Sequence, residues 1–205
     1  MELLDRYLPV FKQVLQMIGD PSQFDDYEQS RQTCICQLEQ ATYEAEHLDV
    51  SKEEKEAAQV AIIAWLDETV LRSSLSWRQR WQSELLQRKY LKITIAGEHF
   101  FTLLNQLEPC HKQARKVFLF CLQQGFQGQY NSPDDQPALQ AVIDEQRNLC
   151  LPKMWQQWPN DAVIVPGLPA PAVTTTQRQR PLLSMTAGVA LLYAVLYFIL
   201  HHYVF

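Results

Sequence analysis

The sequence lacks a phosphate-cradling glycine loop, histidines three or four residues apart, a basic stripe and an apolar leader at its start. Each absence excludes a class. The nearest approach to a phosphate loop, Gly125-Phe126-Gln127-Gly128-Gln129-Tyr130, has neither the Lys nor the Ser/Thr that a nucleotide site needs. Neither HExxH nor GxSxG occurs. His47, His99 and His111 stand apart from one another, with only Cys110 adjoining His111, so no catalytic residue, metal site or cofactor is expected. Net charge is −5, and the Lys and Arg residues are scattered, which excludes a nucleic-acid partner. The five cysteines are odd in number, and Cys34 and Cys36 lie closer in sequence than redox or zinc pairs do. Buried free thiols in a reducing compartment are the expectation. The acidic opening Met1-Glu2-Leu3-Leu4-Asp5 is followed by no apolar run, so no cleavable signal peptide is expected.

What is present suits one compact domain with an appendage. The 205 residues are 47% hydrophobic, with five Trp, eight Tyr and nine Phe, ample for a packed core. From Leu182 to Leu200 the chain reads LLSMTAGVALLYAVLYFIL without a charge. At ~1.5 Å per residue that run is roughly 29 Å long, the thickness of a bilayer's hydrocarbon core. A membrane helix over 182–203 and a periplasmic tail over 204–205 are predicted. Arg178 and Arg180 precede the span, so the positive-inside rule keeps the preceding residues cytoplasmic. Ser184 with Gly188, and Ala190 with Ala194, have the small-xxx-small spacing that permits self-association within the bilayer. Pro166, Pro169, Pro171 and Pro181 mark 160–181 as a semi-extended linker after a domain over 1–159.

Within 1–159 the pattern is helical almost throughout, and the fold class predicted is all-α. Leu3 to Ile18 repeats at 3–4 spacing and is closed by Gly19 and Pro21. A second helix carries Phe24 to Leu48. Ser51 and Glu54 form a capping box that opens a third helix to about Leu71. Ser76 is read as the cap of a fourth helix bearing Trp77, Trp81, Leu85 and Leu86. Leu91 to Ile95 alternates but has no strand partner, so it reads as an extended connector. A short helix from Phe100 to Leu107 follows, and Pro109 suits the first turn of the next. That helix, apolar on every side at 117–122, is predicted to be central, with Gly125 capping its end. Pro137 opens the last one.

Two local features exceed what a plain bundle needs. Asp67 and Glu68 sit inside the apolar third helix, about 100° apart around its axis, so one can face solvent while the other meets a neighbouring element. A plainer account is a solvated charge beside an internal cap or ion pair, with Arg72 or Arg88 as partner. In the second feature, Gly125 and Gly128 allow a tight turn that folds Phe126 back onto the preceding helix.

The stretches AIIAWLDETVLRSSLSW at 61–77, GEHFFTLLNQL at 97–107 and FLFCLQQGFQGQY at 118–130 resemble, in order and spacing, the TssL/DotU (IcmH-like) family of bacterial secretion proteins. The resemblance implies a hook-like cytoplasmic domain of two small helical bundles and a role as an inner-membrane scaffold of the type VI secretion system. Implied partners are an IcmF/TssM-like membrane protein, baseplate proteins such as TssK and TssE, and further copies of the chain, all at the lipid bilayer of the inner membrane. Asp67 and Glu68 match the family's Leu-Leu-Asp-Glu-like motif and are the implied partner-binding pair. Trp77, Gly97, Glu98, Phe100, Phe101, Gly125, Phe126, Gly128 and Tyr130 carry the motifs that shape the domain. Leu75-Ser76-Trp77 departs from the Pro-Trp-Gly-like turn of many members. A chain stopping at Phe205 is expected to lack the peptidoglycan-binding domain of longer members. The same features also suit a tail-anchored adaptor of a type IVB system or an unrelated tail-anchored chaperone-binding module.

Overall fold

A computed structural model describes residues 2–153. By its internal contacts the chain divides into two units, Met1–Trp158 and Pro159–Phe205. The predicted linker, the span at 182–203 with Ser184, Gly188, Ala190 and Ala194, and the tail lie outside the described residues. Among the described residues, no helix is long and apolar enough to cross a membrane.

The described residues contain helices and turns and no strand. The helices are α1 (Leu3–Gly19), α2 (Tyr27–Glu46), α3 (Lys52–Arg72), α4 (Arg78–Ser83), α5 (Ala96–Gln106), α6 (Lys112–Gln123) and α7 (Gln136–Cys150), with a π-helical turn at Gln87–Leu91. One continuous apolar cluster runs from Leu3 on α1 to Leu139 on α7. The described helices therefore share a single core.

The hub of that core is α3. It packs on α1, α2, α4, α5, α6 and the π turn, and every residue from Ala61 to Asp67 is buried. This corrects the expectation that the helix through 117–122 would be central. That stretch of α6 is buried apart from a half-covered Phe120, but α6 packs mainly on α1, α3 and α7, with Phe118 touching Phe100 of α5. The physical reason is side-chain size: Ala57, Ala58, Ala61 and Ala64 let neighbours approach α3 on several sides. Trp65 fills the remaining space against Phe11, with ring centroids 4.4 Å apart. Full burial of such a side chain contributes roughly 1.5–3 kcal/mol.

Helix ends explain most departures from the sequence pattern. The Ser51 hydroxyl accepts from Glu54 N–H as expected, but the Glu54 carboxylate does not reach back. Its Oε1 instead accepts from the N–H groups of Gln113 and Ala114 and caps α6. Ser76 caps nothing; α4 starts after Trp77 with no side-chain cap, so the fourth helix is shorter than its apolar pattern. Pro109 falls in the turn before α6, not in its first turn. The connector has no ladder partner and stays irregular from Lys92 to Ile95. Gln87 holds it, accepting from Ala96 N–H and donating to the Thr94 carbonyl. Of the five free thiols, Cys34, Cys121 and Cys150 are buried, while Cys36 and Cys110 are exposed.

Candidate interaction site

The carboxylates at 67 and 68 emerge from the same turn of α3 and engage different elements. Asp67 is buried. Its Oδ1 accepts from Trp81 Nε1 at 2.8 Å and from Leu86 N–H at 3.1 Å, and its Oδ2 accepts from Gln87 N–H at 2.9 Å. It therefore caps the turn that starts at residue 86 and pins α4 through the indole. Burial pushes the Asp67 carboxyl above its ordinary value, and the hydrogen bonds from Gln87, Trp81 and Leu86 pull it back only in part.

Glu68 faces the other way. Its two oxygens accept from the successive N–H groups of Gln127 and Gly128, each at 2.8 Å. Arg72, one turn further on, donates to Glu68 Oε1 at 3.2 Å and to the Gly125 carbonyl at 3.0 Å. The expected ion pair with Arg72 is present; Arg88 takes no part in it. Neither carboxylate is a simple solvated charge, because each organises a loop.

The loop on which Glu68 closes is built by its glycines. Gly125 has φ +89° and ends α6: its N–H donates to the Leu122 carbonyl and Phe126 N–H to the Cys121 carbonyl, a Schellman closure. Phe126 is thereby turned inward and buried, 4.3 Å from the Phe100 ring and 6.1 Å from that of Phe101. Tyr130 meets Phe101 edge-on at 4.8 Å. Gly128 has φ +52°, and a Cβ there would lie 2.9 Å from the Phe101 ring and 3.0 Å from the Gly97 carbonyl oxygen. A Cβ on Gly97 would lie 3.0 Å from Gly128 Cα. The two glycines thus let the start of α5 touch the loop backbone directly. The 97–107 and 118–130 motifs, separate in sequence, are one contact in space.

Trp77 stands on the Asp67 side, its Nε1 donating to the Phe24 carbonyl at 2.7 Å and its ring packed against Tyr27 and Trp81. Glu98 is exposed in the first turn of α5, where a negative charge suits the helix dipole. Sequence reasoning missed Trp81 as the Asp67 donor, Glu54 as the α6 cap and Arg115 as a buried clamp. Arg115 donates to Gln146 Oε1 and to the carbonyls of Leu107 and Glu108, joining α6, α7 and the end of α5. Its neighbours Lys112, Gln113 and Lys116 are polar, so nothing in the sequence set Arg115 apart. Glu108, Cys110 and His111 also bring three metal-ligand types within 4.8 Å. They satisfy one another: His111 Nδ1 accepts from Glu108 N–H, and the Cys110 thiol donates to the Glu108 carboxylate.

A family model described as "Type VI secretion system protein DotU" matches residues 2–203. The chain belongs to the DotU family. Its description places the chain in type VI secretion, the first of the systems left open by the sequence motifs. Two solved structures share the helical fold. One is the cytoplasmic domain of TssL from Acinetobacter baumannii, with TM-score 0.62 and 23% identity over 73% of this chain and 96% of that one. The other is TssL from Vibrio cholerae, with TM-score 0.62 and 25% identity over 72% and 94%. A comparison with curated proteins found no match.

Proposed function

We propose that this DotU-family chain is a non-enzymatic inner-membrane scaffold of the type VI secretion membrane complex. In this reading the helical unit is a hook-like cytoplasmic platform tethered by the linker at 160–181 to a helix at 182–203. It joins an IcmF/TssM-like membrane protein and further copies of itself, and it docks baseplate proteins such as TssK and TssE. The observation that carries the reading is the family match, which continues through the linker and predicted span to residue 203.

The geometry supports a specific part for the acidic pair. Asp67 and Glu68 spend their acceptor capacity inside the chain, so they contribute to partner binding by holding two neighbouring surfaces in shape. Asp67 holds the turn from residue 86, and Glu68 holds the Gly125–Gly128 loop. The test is co-purification of the full chain with an IcmF/TssM-like protein and with a TssK-like protein. The Asp67→Ala/Glu68→Ala variant should lose at least one partner while remaining helical. Retention of every partner and of full secretion would remove the pair from the mechanism. Failure of the unaltered chain to capture either protein would remove the scaffold reading itself.

A further inference from the structure

Among the described residues, the turn between α5 and α6 gathers three kinds of metal ligand. Glu108 and Cys110 are exposed and His111 is half-buried, and their ligand atoms all lie within 4.8 Å of one another. Cys110 Sγ is 3.4 Å from Glu108 Oε2, and His111 Nδ1 is 3.2 Å from the Glu108 backbone nitrogen. Ligands held tetrahedrally at 2.0–2.3 Å from an ion are about 3.3–3.8 Å apart. The sulfur and the carboxylate already stand at that separation. The imidazole has roughly 1–1.5 Å to close at most.

Backbone bonds and a buried clamp hold the turn in shape. Pro109 fixes one of its torsions. His111 N–H donates to the Glu108 carbonyl at 3.0 Å, and Lys112 N–H to the Cys110 carbonyl at 2.7 Å. From the core side, the buried Arg115 guanidinium donates to the carbonyls of Leu107 and Glu108. Glu108 and His111 also line a cavity of about 450 Å³ between α3 and α5, together with Glu53, Glu56 and His99. No Lys or Arg lines it, so a cation reaching the turn from this side meets no like charge.

We propose that Glu108, Cys110 and His111 bind a zinc-type divalent ion, with water in a fourth position open to the cavity. A thiolate, a carboxylate and a neutral imidazole bring two negative charges to an ion of charge 2+. The sulfur selects zinc-like ions over magnesium and calcium, which prefer oxygen. On binding, the Cys110 thiol releases its proton to solvent and Sγ bonds the ion. His111 Nδ1 exchanges the Glu108 N–H for the ion, and the ring keeps its one proton. The ion then ties the end of α5 to the start of α6 from outside, as Arg115 does from within. No part of this site depends on the membrane anchor.

The test titrates Co²⁺ into the full chain in detergent, with a phosphine reductant that keeps the thiols free. A thiolate-to-cobalt absorption band should grow to one ion per chain and be bleached by Zn²⁺. Cys110→Ser should abolish the band, and Glu108→Gln and His111→Ala should each weaken binding at least tenfold. Cys36→Ser, at the other exposed thiol, should change nothing, and helical circular dichroism should be the same in all four variants. The sulfur band separates this turn from His201 and His202 near the C-terminus. Absence of the band, its survival in Cys110→Ser or its loss in Cys36→Ser would overturn the site. Equal affinity in the native chain and in the Glu108 and His111 variants would mean an adventitious ion only.

Discussion

Two acidic side chains with the same job at first sight respond differently to amide replacement. Glu54 receives both N–H groups on one oxygen, so Glu54→Gln keeps an acceptor in place and should cost well under Glu54→Ala. The alanine variant leaves α6 uncapped, at a cost of about 1–2 kcal/mol. Asp67 uses both oxygens on three donors, so Asp67→Asn must set an NH2 group against an N–H. A loss of about 1–3 kcal/mol is expected for a buried group left without its partner. Urea unfolding of the three single variants checks the contrast, and equal losses for the two amide variants would contradict it. Gly128→Ala should cost about 1–3 kcal/mol in the same assay, from the positive φ and contacts of 3.0 Å or less. Tyr7 supplies a test in alkali. Burial holds its phenol up at about 12, against 10.0 for an ordinary tyrosine. Between those values the folded state binds more protons than the unfolded one, so stability falls as pH rises through the window. Relative to Tyr7→Phe, the native chain should lose about 1.4 kcal/mol per pH unit there. Parallel stability curves for the two proteins from pH 10 to 12 would show that Tyr7 ionises equally in both states.

At the scale of elements, the motif at 97–107 and that at 118–130 act as one unit because Gly97 and Gly128 meet backbone to backbone. Glu68 and Arg72 then tie that unit to α3, the hub. Removing the tie should loosen the loop before it unfolds the domain. Glu68→Ala is expected to speed amide exchange at Gln127 and Gly128 at least tenfold, with little change at Leu86 and Gln87. The converse pattern is expected for Asp67→Ala. Exchange that rises equally at both places in both variants would mean that the pair acts as one structural knot. The apolar periodicity made α1, α2, α3 and α7 legible from sequence. Ser51, Gly19 and Gly125 marked their ends correctly. Ser76 and Pro109 misled because capping depends on where the backbone turns, and Leu75, Trp77 and Trp81 are drawn into the core first. Glu54 misled in a different way. Its nearest N–H in sequence lost to two N–H groups some sixty residues away.

For the whole molecule, a chain ending at Ala172 should be soluble and helical, whereas the full chain should partition with membranes. A full chain that stays soluble and monodisperse would dismiss the span predicted at 182–203. If that span is also a contact between copies, Gly188→Leu should reduce self-association in detergent without altering the helical unit. The sequence by itself determined the helical class, the family and the boundaries of the longer helices, because apolar spacing and a few motifs are local properties of the chain. It also singled out Asp67, Glu68, Gly125 and Gly128. Only the tertiary structure decided what they do, since a hydrogen-bond acceptor is assigned by proximity. Asp67 was left with an indole and two backbone N–H groups, and Glu68 with a loop that glycines alone can bring close enough.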